Sequence, residues 1–92
     1  MIKFTVSIKE TRDYPRSEFR DGTGRTLAKS FSRQVLPRTG EMINIGNVLI
    51  PVFRVTHVLE AEIDSPFAIH VTAGMQQVHF EELTQDKTWS LT

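Results

Sequence analysis

Apolar side chains recur at every second position in several short runs of this chain, and that period is the strongest constraint on its fold. Ile2, Phe4, Val6 and Ile8 alternate with Lys3, Thr5, Ser7 and Lys9, the pattern of a strand with one buried and one wetted face. Phe67, Ile69, Val71 and Ala73 repeat it, and Gly74 ends the run. Met42, Ile43 and Ile45 form a shorter strand. The Gly46-Asn47 dipeptide that follows predicts a hairpin into the next apolar run. From Val48 to Phe53 both parities are apolar, so both faces of that strand should be covered. Pro51 lacks a ladder donor and belongs at a bulge or sheet edge. The two demands agree only if a loop or a partner chain covers that edge. An antiparallel register with Leu59 opposite Phe67, His57 opposite Ile69, Val55 opposite Val71 and Phe53 opposite Ala73 makes one continuous apolar face.

Other segments are less regular. Between Glu10 and Thr26 only Tyr14 and Phe19 are large and apolar, and Pro15, Gly22 and Gly24 interrupt any element. A long loop over 10–26, pinned by its two aromatics, is expected. Residues 27–36 fit either period, because Leu27, Phe31 and Val35 share a helical face and also share strand parity. Ser30 and Ser32 weaken a helix there, so a strand ending at Pro37 is preferred. Val78 and Phe80 extend the sheet, or Met75, Val78, His79 and Glu82 lie along a short helix. Trp89 and Leu91 close the domain. The expectation is a single mainly β domain over 1–92: a small antiparallel barrel or sandwich of 5–7 strands, with one long loop over 10–26 and either no helix or one short one.

A chain of 92 residues has a small core, and with no cysteine it has no disulfide to supplement it. The lack of such staples points to a reducing compartment. The alternating start lacks the unbroken apolar block of a signal peptide. No stretch approaches the ~20 apolar residues of a membrane helix. A cytoplasmic protein without membrane contact is expected. Formal net charge is zero, but unevenly spread. Residues 1–40 carry nine basic and four acidic groups, and residues 41–92 carry two basic and seven acidic ones. Either the halves neutralise each other within the fold or a basic face meets an acidic partner.

Few residues suggest chemistry. Leu36-Pro37-Arg38-Thr39-Gly40 matches the LPXTG signal that sortases cleave. It lies mid-chain, ahead of strands rather than an apolar span and basic tail, and reads as a turn. His57, His70 and His79 have no metal-box spacing, and the preferred register points His57 inward and His70 outward. Glu60, Glu62 and Asp64 share parity and read as a solvated hairpin end. Gly22-Thr23-Gly24 lacks the lysine of a phosphate loop. No catalytic residue, metal or cofactor is assigned. The series Arg12, Arg16, Arg20, Arg25, Lys29, Arg33 and Arg38, interleaved with Tyr14, Phe19 and Phe31, is the candidate surface for nucleic acid or an acidic protein. The near-neutral balance of the chain argues against it.

The runs 36–45 and 52–58 resemble a pattern in small bacterial and phage β proteins of unassigned function, of the kind found on phages, plasmids and integron cassettes. The resemblance implies a small β fold and carries no site. Three functions are therefore expected, in order. The first is a non-catalytic interaction or accessory module that self-associates through Val48, Leu49, Ile50 and Val52. The second is a nucleic-acid-binding module using residues 12–38. The third is a small-molecule binder or enzyme with a cleft near His57.

Overall fold

The computed structural model describes residues 1–92 apart from Phe19 and Ile63. The strands are β1 (Ile2–Thr11), β2 (Gly22–Arg33), β3 (Met42–Ile45), β4 (Val48–His57), β5 (Ile69–Gln76) and β6 (Ser90–Leu91). One helix, α1 (Gln77–Leu83), follows β5. The mainly β expectation is met by one six-stranded sheet in the order β3-β4-β5-β1-β2-β6. The sheet is mixed, since β1 pairs β5 in parallel and the other pairs are antiparallel. It is not closed into a barrel. Instead β3 folds over the apolar inner face, so that Ile43 and Ile45 meet Phe4, Val6 and Phe31 across a cleft of about 180 Å³.

The inner face holds the core. Phe4, Val6 and Ile8 of β1, Val71, Ala73 and Met75 of β5, Ile50 and Val52 of β4, and Leu27 of β2 are all buried. Phe80 and Leu83 of α1 and Trp89 cap this face. The helical option for 75–82 is realised over Gln77–Leu83, but its buried stripe is Phe80 and Leu83 while Val78 stays exposed. Of the closing pair, Trp89 is buried beside Phe31 (ring centroids 5.8 Å apart) and Leu91 is exposed.

The expected loop and the expected start of the Phe67 strand need correction. The loop expected over 10–26 spans only 12–21, because the β1–β2 ladder runs to Thr11 and Gly22. Apolar alternation disappears there because the inward positions are polar. Glu10 is buried, accepts a hydrogen bond from the Thr23 hydroxyl, and pairs with Arg25 Nη1 at 3.3 Å. The expected strand at Phe67 starts instead at Ile69 and continues through Gly74 to Gln76. The β4–β5 ladder closes with the Val58 N–H on the Ala68 carbonyl, leaving Leu59 and Phe67 exposed.

The β4–β5 register follows the expected pairing at His57–Ile69 and Val55–Val71, then shifts. A bulge at Phe53 sets Val52, not Phe53, opposite Ala73. It turns Phe53 to the outer face, where its ring lies over Gly74. A Cβ on Gly74 would stand 2.5 Å from Phe53 Cζ and 2.8 Å from Pro15 Cβ. Pro51 is accommodated at a change of partner. The Val52 N–H donates to Glu41, so Pro51 faces the opposite side, where the β4–β5 ladder has ended. The β3–β4 turn has positive φ at Gly46 (58°) and Asn47 (66°), the requirement of a two-residue type I′ hairpin.

Candidate functional site

The β3–β4 hairpin, α1 and the 12–21 loop meet at one end of the sheet, and two clefts open there on either side of His79. One, of about 210 Å³, lies between the hairpin tip and α1. Its walls are apolar (Ile45, Val48, Met75 and Leu83), and Glu82 and Asp86 supply carboxylates. The Thr88 hydroxyl and then its backbone N–H, at 2.6 and 2.9 Å, hold the Asp86 carboxyl below the usual carboxylate range. The other cleft, also about 210 Å³, lies between the hairpin and the loop and is lined by Tyr14, Pro15, Val48, Leu49, Ile50 and His79. Tyr14 and Leu49 of this cleft are exposed by 55% and 61%, so apolar surface remains uncovered there, and Val78 of α1 is exposed by 57%. The 12–21 loop carries exposed Arg12, Arg16 and Arg20, and α1 carries exposed Glu82 and Glu81, the latter paired with Arg25.

The four residues expected at an oligomer interface divide. Ile50 and Val52 are buried in the chain's own core, at 1% and 2% exposure. Val48 is half-buried and Leu49 faces solvent. The double apolar parity of 48–53 has an internal explanation for the inward residues, because β3 and the core cover them. It leaves Leu49 without cover.

The seven cations of the expected nucleic-acid surface do not form one patch. Arg12, Arg16 and Arg20 lie on the 12–21 loop and Arg38 on the turn before β3, all exposed. Arg25, Lys29 and Arg33 lie along β2 over aromatic rings. Arg25 is 5.2 Å from the Phe80 centroid, Lys29 is 5.5 Å from Phe31 and 5.8 Å from Trp89, and Arg33 is 5.2 Å from Phe31. Arg25 also bridges Glu10 and Glu81, joining the basic half of the chain to the acidic half. The expected pinning of the loop by aromatics does not hold for Tyr14, which is exposed, and Phe19 lies outside the described residues. Pro15 on Gly74 and Glu18 fasten the loop instead.

The Glu18 contact organises the outer face of the sheet. Arg54 Nε donates to both Glu18 carboxylate oxygens (3.0 and 2.9 Å), Arg54 Nη2 reaches Oε1 at 2.9 Å, and Lys9 Nζ at 3.3 Å. Burial alone would raise the Glu18 carboxyl. The hydrogen bonds from Arg54 and Lys9 outweigh it and hold the group below the usual range. Beside this contact lies an open polar cavity of about 250 Å³ that Lys9, Arg54 and His70 help to line. Its remaining walls are the hydroxyl side chains of Ser7, Thr26, Thr56 and Thr72. Their signal in the sequence was the wet parity of β1 and β5, with His70 turned outward. His57 is exposed at the end of β4 and lines neither this cavity nor the clefts at His79. Glu60, Glu62 and Asp64 are exposed in the β4–β5 connection.

Comparison of the chain with protein-family models, with curated proteins and with solved structures found no match. Among the described residues, no helix is long and apolar enough to cross a membrane.

Proposed function

We propose that this chain is a non-catalytic interaction module that pairs with a second copy of itself through the hairpin end. The observation that carries this reading is the exposed apolar pair Tyr14 and Leu49 lining one cleft, next to a loop with exposed Arg12, Arg16 and Arg20 and a helix with exposed Glu82. A two-fold interface brings each patch against the same patch of its mate. In such a pair the loop arginines of one copy meet Glu82 of the other, the α1 carboxylate that Arg25 does not hold. The half-buried clefts beside His79 supply pockets for the mate's Leu49 and Tyr14, the kind of central anchor that dominates interface energy. The likeness of 36–45 and 52–58 to small β proteins of mobile elements fits an accessory role, and the absence of cysteine fits the cytoplasm as its compartment.

Light scattering on the wild type and on Leu49→Asp tests the proposal. The wild type is expected to scatter as a dimer at micromolar concentration and the variant as a monomer with an unchanged circular dichroism spectrum. A monomeric wild type contradicts it. Nucleic-acid binding is the second reading, supported by exposed Arg12, Arg16 and Arg20 on the loop and Arg38 on the turn before β3. It requires affinity for single-stranded DNA or RNA that falls steeply with salt, and no binding at low salt removes it.

A further inference from the structure

The outer-face cavity is independent of the hairpin end and has its own chemistry. Among the described residues, its wall carries the nitrogen donors of Lys9, Arg54 and His70 and no carboxylate. Glu18 neutralises part of this charge from one side only. Its side chain is 4% exposed, while those of Lys9 and Arg54 are 34% and 51% exposed. Both cations thus keep an open flank after satisfying Glu18. Arg54 spends Nε and Nη2 on the carboxylate and turns Nη1 toward Thr56 Oγ1, 3.4 Å away on the cavity wall. Lys9 has three N–H donors and Glu18 takes one. Two cations face one carboxylate, so the local balance is positive.

We propose that this cavity binds a small phosphate ester of a polyhydroxylated carbon chain. The phosphate takes the open donors of Lys9 and Arg54, the pairing that guanidinium and ammonium groups favour. The ligand's hydroxyls take Ser7, Thr56 and Thr72, which as neutral donor–acceptors match alcohols better than they match a second charge. The volume of about 250 Å³ admits a phosphate with a short chain and is small for a dinucleotide. Glu18 occupies the place of a second anion on the same cations and so competes with the ligand.

Titration of isotope-labelled protein with ribose 5-phosphate, inorganic phosphate and ribose, followed by NMR, tests this. Ribose 5-phosphate is expected to shift the Ser7, Lys9, Arg54 and Thr72 amides. Inorganic phosphate should bind there about tenfold more weakly and ribose not at all. Lys9→Met should weaken ribose 5-phosphate about tenfold, and Glu18→Gln should tighten it several-fold by removing the competing carboxylate. The Glu18→Gln gain is a result that a purely structural ion pair would not give. Absence of shifts with about 10 mM ribose 5-phosphate, or equal affinity in the wild type and Lys9→Met, overturns the proposal. A single-stranded oligonucleotide that binds the same residues more tightly than the pentose phosphate overturns it in favour of nucleic acid.

Discussion

At the scale of single residues, two outer-face contacts fix the 12–21 loop, and each gives a prediction. Gly74 has no room for a side chain, because the Phe53 ring and Pro15 occupy the space. Gly74→Ala should lower stability by about 1–3 kcal/mol in urea unfolding. Adding Phe53→Ala should restore part of the loss, since the two sites are in contact and do not add. Glu18 acts through charge. Its carboxyl is depressed in the folded state, so its stabilisation is complete above the ordinary carboxylate range. It is lost as pH falls through the folded-state pKa. Glu18→Gln should therefore be less stable than the wild type at neutral pH, by about 1 kcal/mol because Arg54 is half exposed. The gap should close as pH falls below the ordinary carboxylate range, as urea midpoints at neutral and at acidic pH will show. Neither contact was legible in the sequence. Gly74 looked like a strand end, because nothing local announces a ring from β4 lying across it. Glu18 looked like one more loop acid, because its partners are 9 and 36 residues away.

At the scale of elements, the two-residue period was legible wherever the inward side chains are apolar and failed where they are not. β1 was read correctly to Ile8 and lost at Glu10, whose inward carboxylate is satisfied by Thr23 and Arg25 on the neighbouring strand. β2 was readable from Leu27, but its start at Gly22 was hidden for the same reason. The hairpin at Gly46-Asn47 was legible because positive φ restricts the residues that can stand there. The α1 helix was visible only as an alternative, since seven residues give too few turns for a helical period to separate from a strand. The helix nonetheless anchors the core. Phe80 is fully buried, and Phe80→Ala should cost about 3–5 kcal/mol, read as a fall in the urea midpoint. The interface expectation also divides by element: β4 spends Ile50 and Val52 on the core and leaves Leu49 to solvent.

At the scale of the whole molecule, the charge asymmetry of the sequence finds a partial internal outlet. Arg25 of the basic half pairs with Glu81 of the acidic half, and Lys29 lies close enough to Asp86 to help hold it ionised. The rest stays on the surface, with Arg12, Arg16 and Arg20 on the loop and Glu82 on α1, opposite charges that the proposed two-fold contact would bring together. A small core and an open sheet both favour gaining buried area from a mate. The mainly β architecture was legible from alternation and turns, whereas the open, mixed sheet was not, because strand order depends on contacts between distant segments. The most direct test is sedimentation velocity across a concentration series, on the wild type and Leu49→Asp. The wild type is expected to show a species of twice the 10.5 kDa chain mass that dissociates on dilution, and the variant a monomer throughout. A wild type that sediments as a monomer at every concentration, or a Leu49→Asp dimer as stable as the wild type, would contradict it.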